Sequence, residues 1–293
     1  MTKEPLKILQ DTLFEKKFPL DDKYIDSVPD VVYHYSNITA FINILQNKCL
    51  WASRAEFLND ATEFRFGQQI CRREMDRLAS TNSDYIEFIR KLQSAIDFEV
   101  NSPFVTCFCK DGDLLSQWRG YSSHGQGISV GFETGVLRRI NSARLNKVVY
   151  EPRDQADFIF EQIKALADSF LTVGIDLDNA DNFRALIGYT GAIERYCVLM
   201  KDAAFREENE LRLNVADYYV ETNGLPVKFR VRNNLVVPYL ELDLADNWPA
   251  LIREIIIGPG PDPELRYKNI MHFLNMLGLN KVSVNLSKCQ YRL

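Results

Sequence analysis

Val31-Val32-Tyr33-His34-Tyr35-Ser36 is the stretch on which the fold turns. Its β-branched entry and paired tyrosines suit a pleated, half-buried strand. The residues that follow, Ile38-Thr39-Ala40-Phe41-Ile42-Asn43-Ile44-Leu45, change to helical spacing and predict a helix over 38–47, and a second strand is expected at Cys49-Leu50-Trp51-Ala52-Ser53. His34 is one of only three histidines in the chain. If it faces a cleft, a ring N–H can meet a sugar hydroxyl; if it faces the core, the ring bonds a backbone carbonyl.

Working outward, residues 1–30 are polar and punctuated by Pro and Asp, which reads as a lead-in helix and loop. Asn59-Asp60-Ala61-Thr62-Glu63 has the form of a helix start, with Asp60 as cap and Glu63 closing a capping box. Helical periodicity runs through Phe64, Phe66, Ile70, Met75 and Leu78, and again from about residue 83 to 98. Pro103 to Cys109 reads as a buried strand. A turn at Asp111-Gly112 leads to a short helix around Leu114 to Arg119, then to a polar loop from Gly120 to Gly127. Further strands are expected at Ile128–Phe132 and Lys147–Tyr150. Two long helices fill 154–203, the first carrying Phe158, Ile159, Ile163, Leu166 and Phe170 on one face. Strands return at Leu211–Val215, Tyr239–Leu242 and Glu254–Ile257. A last helix has Asp262 as cap, Pro263 in its first turn and Gly278 past its end, and Val282-Ser283-Val284 closes the sheet. Strands and helices follow no strict βαβ rhythm, so the expected class is α+β, as one domain over 1–293.

Composition narrows the function. The chain of 293 residues is 46% hydrophobic and 26% charged, as expected of a globular protein with a sizeable core. A net charge of −5 and a pI near 5.4 argue against broad nucleic-acid or anionic-membrane binding. The opening Met1-Thr2-Lys3-Glu4-Pro5-Leu6 lacks the layout of a secretory signal, and no apolar run approaches a membrane span. A cytoplasmic protein is therefore expected. The six cysteines form no CxxC pair and no zinc-ligand spacing, so reduced thiols and no metal are expected.

Four segments place polar residues beside strand ends: Tyr33 to Ser36; Trp51-Ala52-Ser53; Ser116 to Tyr121; and Phe205 to Arg212. In an extended backbone Glu208 and Glu210 would share a face about 7 Å apart. A carboxylate about 4 Å from a developing cation contributes roughly 4 kcal/mol at an effective dielectric near 20, on the order of a thousandfold in rate. The same residues also fit a solvated charge run whose surface pairs contribute little. Trp118 and Tyr121 fit either inward packing or a stacking wall for a planar ring. Gly125-Gln126-Gly127 fits a plain turn or a backbone approach to phosphate.

Taken in order, these residues resemble a bacterial family catalogued as domain of unknown function 2971. The resemblance rests on His34-Tyr35; on Trp51-x-Ser53 with Asn59-Asp60-x-x-Glu63; and on Trp118-Arg119-x-Tyr121 running into Gly127-Ile128-Ser129-Val130-Gly131-Phe132. It continues through Glu208-x-Glu210-x-Arg212, Ile255-Ile256-Ile257-Gly258-Pro259 and Ser287-x-x-x-Tyr291-Arg292. At the level of the fold, the layout is similar to the ADP-ribosyltransferase superfamily. That likeness implies a split sheet of mixed and antiparallel strands, from which the helical insertion at 154–203 departs. It implies that His34 binds the nicotinamide-side ribose of NAD with Tyr35 beside it, that Ser53 and Tyr121 line the pocket, and that Trp118 is a candidate ligand contact. Glu210 would be the catalytic carboxylate and Glu208 its accessory. No residue is assigned to the superfamily's stacking tyrosine.

The expected function is thus an NAD-consuming ADP-ribosyltransferase or NAD glycohydrolase, with NAD as substrate, no metal, and a protein or nucleic-acid acceptor. By analogy it would serve as a toxin or an anti-phage defence effector. The alternative is a non-catalytic sensor of a nucleotide or NAD derivative, or a protein-interaction module. A metal-dependent nuclease is disfavoured by the acidic balance and the absence of clustered His and Asp.

Overall fold

A computed structural model describes residues 20, 22–58, 61–98, 102–122, 126–140, 142–174, 176–232, 234–244, 248 and 250–289. The expected lead-in helix lies largely outside these residues, as do the Asp60 cap, Gly125 of the polar loop, and Tyr291-Arg292. No helix among the described residues is long and apolar enough to cross a membrane.

The chain is an α+β protein. Strand β1 (Val31–Ser36) is followed by helix α1 (Ile38–Asn47) and β2 (Cys49–Arg54). Asn37 caps α1 by accepting from the Ala40 N–H at 2.8 Å, and Lys48 ends it in the left-handed region. Helices α2 (Ala61–Thr81) and α3 (Asp84–Phe98) precede β3 (Phe104–Cys109), the short α4 (Leu115–Tyr121) and β4 (Ile128–Glu133). After α5 (Thr134–Leu137) and β5 (Arg144–Lys147) come α6 (Pro152–Val173) and α7 (Ala180–Cys197). Then follow β6 (Glu210–Val215), α8 (Asp217–Thr222), β7 (Lys228–Arg232), β8 (Leu235–Asp243), β9 (Ile252–Ile257), α9 (Pro263–Met276) and β10 (Ser283–Leu286).

The strands form one mixed sheet in the order β10-β9-β4-β1-β3-β2-β8-β7, with β6 paired to β3 and β5 to β6. Only β9 and β10 pair in parallel among the described strands. One face carries Val32, Phe108, Phe132, Leu211 and Leu213 against Phe41 of α1 and Leu274 of α9. On the other side α2, α3, α6 and α7 build a helical layer around Met75, Leu92, Phe158, Ile163 and Leu186. The region 154–203 is therefore not a self-contained insertion. Its apolar stripe is buried against the helices of 61–98, because neither amphipathic pair could cover its stripe alone.

Three local expectations change. The strand expected at Lys147–Tyr150 lies earlier, at Arg144–Lys147, and Val149 instead bridges in parallel to Met200. Strand β7 was not expected; its alternating Lys228, Arg230 and Arg232 hide the pattern of an edge strand. Asp262 stands at the N-cap of α9, but in the left-handed region and with no side-chain cap bond.

One contact fixes how two helices of that layer meet. A Cβ on Gly67 of α2 would lie 2.0 Å from the Cys197 carbonyl oxygen at the end of α7. Helix propensity alone favours alanine over glycine by about 1 kcal/mol, yet here the methyl has no room. Gly67→Ala is expected to destabilise the protein by about 1–3 kcal/mol in urea denaturation; stabilisation would show that this packing is wrong.

Candidate functional site

A cleft opens where the sheet divides. One edge of β3 is taken by β6, with six residue pairs from Phe104↔Val215 to Cys109↔Glu210. Along its other edge β1 joins only at Tyr33↔Cys109 and β2 only at Ser53↔Val105 and Arg54↔Phe104. Between those ends, no described strand pairs with β3 on that side. The His34 ring fills part of the gap, its Nδ1 lying 2.9 Å from the Cys107 carbonyl oxygen. A carbonyl only accepts, so Nδ1 carries the proton and Nε2 of the neutral ring is an acceptor. Burial keeps the ring neutral by lowering its pKa, although the carbonyl bond pulls the other way. Both sequence-based readings of His34 therefore hold at once: it bonds a backbone carbonyl and lines the cleft. What changes is the polarity, since the remaining nitrogen accepts from a hydroxyl rather than donating to it.

The cleft has a volume of about 1090 Å³, slightly above the ~300–1,000 Å³ range of small-molecule sites. Two buried hydroxyls in its lining, Ser36 Oγ and Ser116 Oγ, have no hydrogen-bond partner among the described residues. Buried orphan hydroxyls are uncommon in native proteins. Here they line a cavity able to supply the missing partner.

One wall is a buried charge cluster. The Lys201 ammonium lies 3.0 Å from Glu63, 2.6 Å from Glu208 and 2.9 Å from Glu210. Arg212 donates from Nε to Glu210 at 2.7 Å and from Nη2 to Glu210 at 2.9 Å, and it also pairs with Glu63 and the Val198 carbonyl. The Lys201 and Arg212 side chains are each only 2% exposed, so the solvated-surface reading fails for Glu208, Glu210 and Arg212, while Arg206 and Glu207 do lie exposed. Helix α2 brings Glu63 over β6, where its carboxylate joins the cluster; the Asp60 half of the expected capping box lies outside the described residues. Lys201 is held by its backbone: its N–H donates to the Val149 carbonyl at 3.2 Å, and Gln155 donates to the carbonyls of both Val149 and Lys201.

Three carboxylates face two cations, and the excess acid falls on Glu208. Burial raises its pKa above the ordinary value against the pull of Lys201, and Glu210 and Glu63 add to the rise. Burial would raise Glu210 too, but Arg212 and Lys201 outweigh it and hold that carboxyl at about 2. Nor do the two carboxylates share an extended segment. Glu208 ends a 3-10 helix (Ala203–Glu208) and Asn209 is left-handed, so Glu210 alone belongs to β6. Lys201, not strand alternation, brings them together.

The other end of the cleft is cationic. Arg230 of β7 donates to Ser53 Oγ at 2.8 Å, and its guanidinium carbon lies 5.4 Å from the Trp51 ring centre and 5.9 Å from that of Tyr239. Arg232 lines the same end and donates to the Phe57 carbonyl at 3.0 Å.

Among the residues singled out from sequence, His34, Tyr35, Ser53, Tyr121, Glu208 and Glu210 all line this cleft. Trp118 does not: it is 0% exposed, donates to Asp113 at 2.7 Å and packs edge-on against Tyr35 at 4.7 Å. Its inward-packing reading is the one realised. The Tyr35 hydroxyl donates to the Asp111 carbonyl and accepts from the Leu114 N–H, so its polar end is structural. Tyr121 keeps its phenolic proton, since burial and then Glu208 and Glu210 push its pKa up. Sequence reasoning missed Lys201, Glu63 as a member of the cluster, and Arg230. The lone lysine ending Val198-Leu199-Met200 and the period-two cations of β7 were the available signals.

The cluster sets the acid response. Because the folded pKa of Glu210 is depressed, its stabilisation is complete above the unfolded value of about 4.3 and is lost as pH falls towards about 2. Glu208 acts oppositely: its raised pKa means that ionising it weakens the fold as pH rises. Lys201→Met should destabilise the protein by about 3–5 kcal/mol, because it leaves buried carboxylates unpaired. Glu208→Gln should leave the melting temperature at pH 7 unchanged or higher. A drop as large as that of Lys201→Met would contradict this division.

The model of the family described as protein of unknown function (DUF2971) matches residues 117–213, about a third of the chain. The matched segment contains Tyr121, Lys201, Glu208, Glu210 and Arg212, and so most of the acidic wall, while His34, Ser53 and Arg230 lie outside it. No curated protein and no solved structure matches the chain.

Proposed function

We propose that the cleft binds NAD and that the protein is an NAD-consuming ADP-ribosyltransferase or glycohydrolase. The observation that carries this reading is the meeting of His34 and the Glu208–Glu210 pair on one cleft, 174 positions apart in sequence at the nearer carboxylate, at the point where the sheet divides. His34 Nε2 and the unpartnered Ser36 Oγ, two positions apart on β1 and thus on one face, suit two ribose hydroxyls. Glu208 and Tyr121 line the part of the cleft where the nicotinamide end would lie.

In the reaction, the bond between ribose C1′ and the nicotinamide nitrogen breaks and its electron pair leaves with neutral nicotinamide. The acceptor's lone pair, or that of water, forms the new bond to C1′ and the acceptor's proton passes to solvent. The intervening sugar is oxocarbenium-like. Glu208 is the carboxylate placed to stabilise it, since its only polar partner among the described residues is Lys201. Glu210, saturated by Arg212 and Lys201, holds the wall in place. This inverts the roles expected from sequence, where Glu210 was the catalytic group.

The test is release of nicotinamide from NAD by wild type, His34→Ala and Glu208→Gln. Glu208→Gln should be slower by about 100- to 1,000-fold, and His34→Ala should be impaired as well. The wild-type rate should fall with decreasing pH through a midpoint above the ordinary glutamate value, given the raised Glu208 pKa; Glu208→Gln should lack that limb. Equal release from all three proteins would overturn the proposal. Saturable stabilisation by NAD with no release from wild type would favour the sensor reading, to which the saturated Glu210 lends support.

A further inference from the structure

We infer that Arg230 is the anchor of an anionic subsite in the cleft, and that the anion it takes is a diphosphate group such as the one linking the halves of a dinucleotide. The inference deepens the NAD reading and rests on it only for the identity of the natural ligand.

The two ends of the cleft treat their cations differently. At the acidic wall, each buried cation has carboxylate partners: Lys201 has three and Arg212 has two. Arg230 pairs with no carboxylate among the described residues. Among the described residues its one acceptor is the neutral hydroxyl of Ser53, and its buried Nε has no partner. An arginine carries five N–H donors in a planar fork, and Ser53 is the one acceptor that meets it among the described residues. A partly buried guanidinium without an anion is costly, yet nothing about its position suggests a displaced surface chain. Trp51 and Tyr239, themselves in a tilted ring pair at 4.6 Å, lie within 6 Å of the guanidinium, and contact of this kind fixes the fork's plane. Ser53 fixes one of its corners.

The choice of anion follows from the fork and its surroundings. Arginine binds phosphate oxygens in bidentate fashion. Arg232, two residues along the same strand face, brings a second positive charge. Burial and that neighbouring charge both disfavour the cationic form of Arg230, and a doubly charged ligand would relieve both effects. Lys228, the third cation of the strand, is already paired with Glu241 at 2.6 Å and does not line the cleft. Two cleft cations side by side match two linked phosphates better than a single carboxylate.

The experiment uses the full chain and ADP, which has the diphosphate but no nicotinamide and cannot be consumed. Binding of ADP, inorganic pyrophosphate and adenosine is measured by titration calorimetry for wild type, Arg230→Gln, Arg230→Lys and Lys228→Gln, each first shown to unfold cooperatively. Wild type should bind ADP and pyrophosphate, and ADP more tightly than adenosine. Arg230→Gln should weaken ADP by roughly tenfold to a hundredfold and leave adenosine unchanged. Arg230→Lys should recover part of the loss, and Lys228→Gln should bind like wild type. Equal ADP affinity in wild type and Arg230→Gln would overturn the inference, as would an equal loss in Lys228→Gln, which would mark a diffuse charge effect. If Arg230→Gln does not fold, wild-type binding of ADP no tighter than adenosine overturns it alone. Arg230-dependent ADP binding in a protein that releases no nicotinamide would leave the subsite standing and remove the NAD-consuming reading. Nicotinamide release with an unchanged KM in Arg230→Gln would do the reverse.

Discussion

The arrangement depends on a shortage of backbone partners along one edge of β3. Two strands, β1 and β2, approach that edge from opposite ends and neither covers its middle. Unpaired backbone polar groups inside a protein are costly, so the gap persists only because side chains reach into it. His34 answers the Cys107 carbonyl, and Thr106 turns its hydroxyl to the Trp51 carbonyl at 3.0 Å. The same substitution of side chain for strand leaves a hollow between β1 and β2. A continuous sheet would have closed it. The cleft is thus a consequence of topology, and His34 is both the prop that holds it open and part of its lining.

The acidic wall follows from a second consequence of that topology. Strand β6 lies between β3 and β5 with all six residues buried, so its alternation cannot put Glu210, Arg212 and Asn214 into water. They face the side covered by the helical layer. A charged strand face under helices folds only if those helices bring countercharges, and they do: Glu63 from α2 and Lys201 from the segment after α7. Removing one partner of such a group is far worse than never having built it. The helical layer is therefore part of the site as well as a support for it. That explains why a tight glycine contact between α2 and the end of α7 matters some distance from the cleft.

Much of this was legible in the sequence wherever the signal is local. The strand, helix and strand from Val31 to Arg54 fall within a residue of their expected bounds, because β-branched residues and helical spacing act over a few positions. The apolar stripe of α6 was equally plain. The cluster was not. Arg206 to Arg212 has the local pattern of a solvated charge run, and the partner that marks its second half as buried, Glu63, lies 149 positions from Arg212. Trp118 could not be placed from its spacing, since an aromatic near a cleft and one beneath it read alike. Arg230 was hidden for a different reason: β7 alternates cations with exposed apolar residues, a pattern that reads as polar loop unless the strand beside it is known.

The cleft that results is electrically lopsided, and this constrains its occupant more than its volume does. At one end Lys201 and Arg212 are consumed by carboxylates, and Glu208 is left as the surplus acid. At the other, Arg230 has no carboxylate among the described residues, and aromatic rings hold it in position. A uniformly anionic ligand would gain at Arg230 and lose at Glu208; a uniformly cationic one would do the opposite. A ligand that carries negative charge at one end and positive charge at the other gains at both. NAD has that character, with its diphosphate and its pyridinium ring separated by one ribose. The ribose between them would then fall beside His34 Nε2 and Ser36 Oγ, whose unused hydrogen-bonding capacity calls for hydroxyl groups. Charge at the ends and hydroxyls between, read from three separate parts of the wall, are the grounds on which NAD is proposed as the occupant.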